Sequence, residues 1–241
     1  MTKAEAERFL ENVKRSKIDY CKKRGLPIPE FVDLSDFYIT DEMWRELNNE
    51  EPRSITRQGT YVELIGYPTE NDWLECKRRA LVTIGKRPIS PPDSNWKHRI
   101  LEARHSPIRY LRYSFYIECP SWVSVHLCRH IHAHPYVKTQ RNDRQHDYDR
   151  RKAPQDTPVS MIYDVNAEEL MTIANKRLCN QASPETRQLV QDMCALAEAA
   201  TPELHGLLVP MCEYQGGVCH EMYPCGKSHV PQSHSEQEVS P

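Results

Sequence analysis

Apolar and polar residues alternate along LRYSFYIEC: Leu111, Tyr113, Phe115, Ile117 and Cys119 fall on one side, Arg112, Ser114, Tyr116 and Glu118 on the other. A period of two sustained this long predicts a strand with one buried face. YVELIGY (61–67) alternates in the same way, and NDWLECKRRALVTIG (71–85) reads as the helix after it. The loop KRPISPPDSN leads to a second amphipathic helix, NWKHRILEARH (95–105). Pro120 suits the first turn of a helix through WVSVHLCRH, where Val123, Leu127 and His130 share a face. The chain then continues as a loop through Pro135. Asn166 reads as a helix N-cap with Glu169 at the third helical position, the pattern of a capping box. Leu170, Ile173, Ala174, Arg177 and Leu178 form that helix's stripe. Ser183-Pro184-Glu185 starts another helix, leading into Leu189, Val190, Met193 and Ala197.

The ends read differently. Residues 2–24 place Phe9, Leu10, Val13, Tyr20 and Cys21 near helical spacing, and Gly25, Pro27 and Pro29 stop the helix. A short helix is expected at DEMWREL, and the sequence beyond Cys225 has the composition of a disordered tail. The expected organisation is an N-terminal helical extension over 1–58, a main domain over 59–225 and a tail over 226–241. No internal repeat is visible.

With 241 residues, 39% hydrophobic and 27% charged, and a net charge of −2, the chain reads as soluble and globular rather than disordered or generally basic. Its apolar runs are far too short to span a bilayer. Nine cysteines, an odd number, fit reduced thiols in the cytoplasm better than a disulfide framework. The charge is uneven: Lys97 to Lys152 holds twelve Lys/Arg against five Asp/Glu, and seven of the eleven histidines. An internal basic block of this kind points to an anion site or to a solvated loop.

Its centre is CRHIHAHPYVKTQRNDR, residues 128–144. His130, His132 and His134 alternate, so a strand through them offers three imidazoles to a metal. Against that, no carboxylate lies within the triplet, and Arg129, Lys138 and Arg141 repel a divalent cation. The cluster Cys212, Cys219, Cys225 with His220 lacks the close-paired spacing of a zinc site and reads as ordinary thiols. Tyrosines interleaved with the basic residues offer stacking platforms for nucleic acid, yet the strand pattern already buries Tyr113. A phosphorylated small ligand fits best, because guanidinium forks match phosphate oxygens while hydroxyls and amides orient the remainder. Spacing alone reaches a nucleotide or similar anion.

The order of residues resembles the flavin-dependent thymidylate synthases, whose motif is RHR followed by seven residues and a serine. Here Arg129-His130-Ile131 stands at RHR, and Thr139, followed by Gln140 and Arg141, stands at the serine. HSPIRYLRYSFYIECPSWVSVHLCRH is similar to the strand and helix that deliver RHR. NAEELMTIANKRLCNQASPETR is similar to the family's asparagine-initiated helix and its successor. The resemblance covers roughly residues 60–225.

That resemblance implies an α+β fold, a twisted, mainly antiparallel sheet flanked by helices, and a homotetramer with active sites shared between subunits. It implies methylation of dUMP to dTMP, with FAD as cofactor and NADPH and methylenetetrahydrofolate as co-substrates. Because a flavin does the chemistry, no cysteine or serine nucleophile is needed, and neither membrane nor nucleic acid is an expected partner. Arg129, Thr139, Gln140, Arg141, Arg177 and His126 are the dUMP candidates, Arg177 and Thr139 among them as catalytic residues. His105, Ser106, His130 and Asn166 are the FAD candidates. The sequence departs from the family at Ile131, an arginine in RHR; at Val137, a glutamate; at Glu168, an arginine; and at Ser183, a glutamine. These departures leave open a related modification of another pyrimidine nucleotide, such as dCMP, and a nucleotide-binding module without turnover.

Overall fold

The structure, a computed structural model, describes residues 53–141, 144 and 149–226. The helix expected over 2–24, the one at DEMWREL and most of the tail lie outside those residues. Five strands form one antiparallel sheet in the order β1-β2-β3-β5-β4. These are β1 (Ser54–Arg57), β2 (Thr60–Gly66), β3 (Arg112–Pro120), β4 (His134–Val137) and β5 (Pro158–Asn166). The helices are α1 (Glu70–Val82), α2 (Ser94–Glu102), α3 (Ser121–Cys128), α4 (Ala167–Arg177), α5 (Pro184–Ala200) and the short α6 (Met211–Tyr214), with 3-10 turns at Ser106–Tyr110 and Pro202–Leu204. The mixed fold with an antiparallel sheet is the one the sequence led us to expect.

Alternation explains the central strands. Tyr113, Phe115, Ile117 and Cys119 of β3 are buried beside Val159, Met161, Tyr163 and Val165 of β5. They share one core with Leu170, Ile173 and Ala174 of α4 and Leu189, Val190, Met193 and Ala197 of α5. Each fully buried side chain of this size contributes about 1.5–3 kcal/mol, so β3 and β5 set the sheet's position. Tyr113 and Tyr163 also need polar partners: their hydroxyls donate to Thr201 Oγ1 at 3.1 Å and to the Leu127 carbonyl at 3.1 Å. The second bond ties β5 to the end of α3.

Several local expectations change. β5, paired along its whole length with β3, and β1, paired with β2, are strands that the sequence reading passed over. The segment read as loop through Pro135 enters β4 at His134, because pairing with β5 captures it. Pro120 ends β3 and stands one residue before α3 rather than inside its first turn. α1 ends at Val82, and Gly85, at φ +72°, takes the turn that follows. Only half of the capping box at α4 forms: the Asn166 side chain accepts from the Glu169 amide at 2.9 Å, but the Glu169 carboxylate turns to His130.

Replacing Asn166 with alanine removes this cap and lowers stability by about 1 kcal/mol, whereas aspartate keeps most of it. Urea denaturation of both variants checks the difference.

Candidate active site

Arg177 closes α4 and reaches across to the end of α3. Its Nη2 donates to the His126 carbonyl at 2.9 Å, and its Nε donates to His130 Nε2 at 3.1 Å. The first bond satisfies a carbonyl in the last turn of α3, where helical partners run out. The second fixes a tautomer: because His130 Nε2 accepts, the neutral ring carries its proton on Nδ1. That nitrogen faces Glu169 Oε1 at 3.3 Å, and the two side chains are only 9% and 7% exposed. Burial, and then the neighbouring Arg177, pushes His130 down to about 4. Glu169 is pushed up, first by burial.

His126 is held from the other side. Ser183 Oγ donates to Thr186 Oγ1 at 2.8 Å, so Thr186 gives its own proton to His126 Nδ1, 2.7 Å away. Ser183 also caps α5. Burial lowers the His126 pKa, with Arg177 and Arg129 adding to the effect. Arg129, at the end of α3, is exposed, and its side chain has no hydrogen bond or ion pair among the described residues. Arg177 is lowered by burial and then by Arg129, so the two guanidiniums feel each other. Two cations at one helix end favour an anion there.

The other dUMP candidates lie elsewhere in the chain. The Lys138 amide donates to the Ser160 carbonyl at 2.8 Å, carrying the chain onward beside β5. Gln140 Nε2 then meets Ser121 Oγ at 3.4 Å, and the Arg141 amide donates to Thr139 Oγ1 at 3.3 Å. Ser121 begins α3, whereas Arg129 and His130 follow its end, about 12 Å away for eight residues. The structure thus groups Arg129, His126, His130 and Arg177, and places Thr139, Gln140 and Arg141 at the opposite end of the same helix.

On the other side of Glu169 lies a cavity of about 360 Å³ lined by Arg109, His132, Asn166, Glu168, Glu169 and Thr172. Arg109 also lines a neighbouring cavity of about 550 Å³ with Tyr110, Arg112, Ser114 and Asp164. Arg109 pairs with Glu168 through its Nε, so the carboxylate that replaces the expected arginine is neutralised by a cation from the Ser106–Tyr110 turn. His105 caps that turn and Ser106 opens it; both are exposed. His132 and His134 are exposed and His130 is packed against Glu169, so the three imidazoles do not share one strand face. Cys179, Cys212, Cys219 and Cys225 line a separate cavity of about 200 Å³. Among the described residues no group of three or more His, Cys, Asp or Glu is placed to hold a metal ion. The thiols of Cys76, Cys119, Cys128, Cys179 and Cys194 are all pushed up by burial, which makes them poor nucleophiles.

The model of the family described as thymidylate synthase complementing protein matches residues 144–203, which include Asn166, Glu169 and Arg177. Among solved structures the chain is similar to a flavin dependent thymidylate synthase from Helicobacter pylori complexed with FAD and dUMP. The identity is 17% and the TM-score 0.51, over 61% of this chain and 99% of that one. It is similar also to a UMP/dUMP methylase from Streptomyces cacaoi bound with 5-Br dUMP, at 14% identity and TM-score 0.50, over 61% of this chain and 94% of that one. No curated protein matches it by sequence. The fold is that of the flavin-dependent thymidylate synthases.

Within that fold, three residues of the site escaped the sequence reading. Glu169 carries a capping signal, and nothing in the sequence shows that its side chain serves His130. Thr186 and Arg109 sit in segments already singled out, but their partners, His126 and Glu168, lie 60 and 59 residues away.

The buried His130 has a measurable consequence. Its pKa is about 4 in the folded chain against 6.5 for a free ring. The unfolded chain therefore takes up a proton below about pH 6.5 that the folded chain refuses. Stability is full above that pH and falls by roughly 3 kcal/mol as pH drops towards 4. Urea denaturation at pH 7 and pH 4.5 is expected to show a smaller acid loss in His130→Gln than in the unaltered protein.

Proposed function

We propose that the protein methylates dUMP to dTMP, with methylenetetrahydrofolate as the one-carbon donor, NADPH as the reductant and FAD as the bound cofactor. The observation that supports this most is that Arg129 directly follows α3 while Arg177 reaches the same helix end through its bond to the His126 carbonyl, so two guanidiniums belong to one place. A nucleotide that brings anionic charge relieves their repulsion. Arg177, held by His126 and His130, contacts the pyrimidine and stabilises negative charge as C5 becomes nucleophilic. A guanidinium stays protonated at any working pH, so partial burial does not remove that role.

Thr139, Gln140 and Arg141, at the far end of α3, act on a nucleotide held by a neighbouring copy, as shared sites in a homotetramer require. The polar cavity beside Asn166 fits a flavin's hydrogen-bonding groups: Asn166 and His132 offer donors, and Thr172 offers an acceptor. Of the two carboxylates there, Glu168 pairs with Arg109 while Glu169 faces His130. His105 and Ser106, with His130, complete the FAD side. FAD, when bound, supplies the redox chemistry, and the protein needs no activated thiol. The cytoplasm, where these small molecules occur, is the expected location.

A second reading keeps the same chemistry on a different pyrimidine nucleotide. Ile131, 83% exposed, stands where the family carries a cation, and the Streptomyces relative is described as acting on UMP as well as dUMP. Competition among dUMP, UMP and dCMP for the purified protein decides between the two.

In an assay with dUMP, methylenetetrahydrofolate, NADPH and FAD, Arg177→Ala lowers kcat/KM by about 10²-fold or more, the scale of losing one preorganised charge contact. Turnover unchanged by that substitution contradicts the assignment.

A further inference from the structure

Glu169 is buried and sits on the same face of α4 as Leu170 and Ile173, where a carboxylate is costly without a partner. Its side chain gives up the reciprocal half of the capping box and faces His130 Nδ1 instead, at 3.3 Å. His130 in turn accepts from Arg177 Nε through its other ring nitrogen, at 3.1 Å. The three side chains form a line from α4, through the loop after α3, and back to the end of α4. Glu169 and Arg177 are two turns apart on one helix, so the line closes a ring made of the helix itself, the Arg177–His130 hydrogen bond and the 3.3 Å contact between His130 and Glu169.

We propose that Glu169 is a positioning residue for Arg177: by accepting the Nδ1 proton of His130 it keeps that ring in the tautomer whose Nε2 accepts from the guanidinium. Without a carboxylate or equivalent acceptor at this place the Nδ1–H is left without a partner, and the Arg177 Nε–H alone opposes a move of the proton to Nε2. Two N–H groups then face each other, and the Arg177 Nε bond is lost. The guanidinium retains its bond to the His126 carbonyl but is free to swing about it. Arg177 Nη1 has no partner among the described residues, so the donor presented to a ligand is the one whose direction this ring governs. The same logic, a carboxylate fixing a histidine that in turn fixes a functional group, recurs wherever imidazole tautomers matter.

The consequence for the nucleotide rests on the dUMP reading of Arg177 given above, whereas the tautomer itself does not. The full chain is labelled with 15N-histidine, and the ring nitrogens are read by long-range 1H–15N correlation at pH 7, the His130 signals being assigned by their loss in His130→Asn. dUMP binding is measured by calorimetry on the same samples. The unaltered protein is expected to show His130 protonated on Nδ1. Glu169→Ala shifts the ring towards Nε2–H and weakens dUMP binding by about tenfold. Glu169→Gln, whose amide oxygen still accepts, restores the Nδ1–H ring and most of the affinity.

A His130 ring protonated on Nε2 in the unaltered protein overturns the proposal without any variant having to fold. So does a Glu169→Gln protein whose ring and affinity match those of Glu169→Ala, because charge rather than orientation is then what matters. Should the unaltered protein bind no dUMP while the ring nitrogens behave as expected, the functional reading fails and the positioning role of Glu169 stands.

Discussion

A guanidinium half withdrawn from water at the end of α4 is the constraint around which the rest of the site is arranged. Burying an arginine is expensive unless its N–H groups meet acceptors of fixed direction. Here the acceptors come from one place, the end of α3: a backbone carbonyl left over by the helix and an imidazole just beyond it. That requirement fixes the register of α3 against α4. It also explains why Tyr163 of β5 spends its hydroxyl on the neighbouring Leu127 carbonyl, since the same helix end must not move. The sheet supplies the rigidity, with β3 and β5 paired along nine residues each beneath both helices.

The electrostatics follow from that placement. Arg129 follows α3 directly, so fixing the helix end brings a second cation towards Arg177, and the Arg129 side chain has no ion pair among the described residues. On the far side of Glu169 the opposite holds. Glu168 brings a carboxylate to the cavity beside Asn166, and Arg109, from a turn remote in sequence, pairs with it. The end of α3 with its two cations and the cavity beside Asn166 share one short wall, made of His130, Glu169 and Asn166.

Much of this was legible in the sequence, for identifiable reasons. The alternation in β3, the caps at Asn166 and Ser183 and the inward stripe of α4 are local signals, and Arg177 among apolar neighbours stood out as a buried cation. β5 alternates as clearly as β3, through Val159, Met161, Tyr163 and Val165, yet it directly follows a polar, proline-interrupted stretch that carries no strand signal. β1 has too few residues to show a period. Pairing partners were not legible at all. Glu169 satisfies a capping pattern and a histidine equally well on paper, and only the position of His130 decides. The separation of Thr139–Arg141 from Arg129 is likewise a matter of strand pairing, because β4 joins β5 and carries the chain towards the start of α3. A motif read as one contiguous signature is divided in space by a helix.

The central claim is that two segments far apart in sequence, around residues 126–131 and 169–178, jointly hold a pyrimidine nucleotide. Hydrogen–deuterium exchange of the full chain, with and without saturating dUMP, tests it most directly. Slower exchange of backbone amides in both segments on adding dUMP is the expected result. Binding of dUMP that leaves both segments unchanged, and protects some other part of the chain, contradicts it.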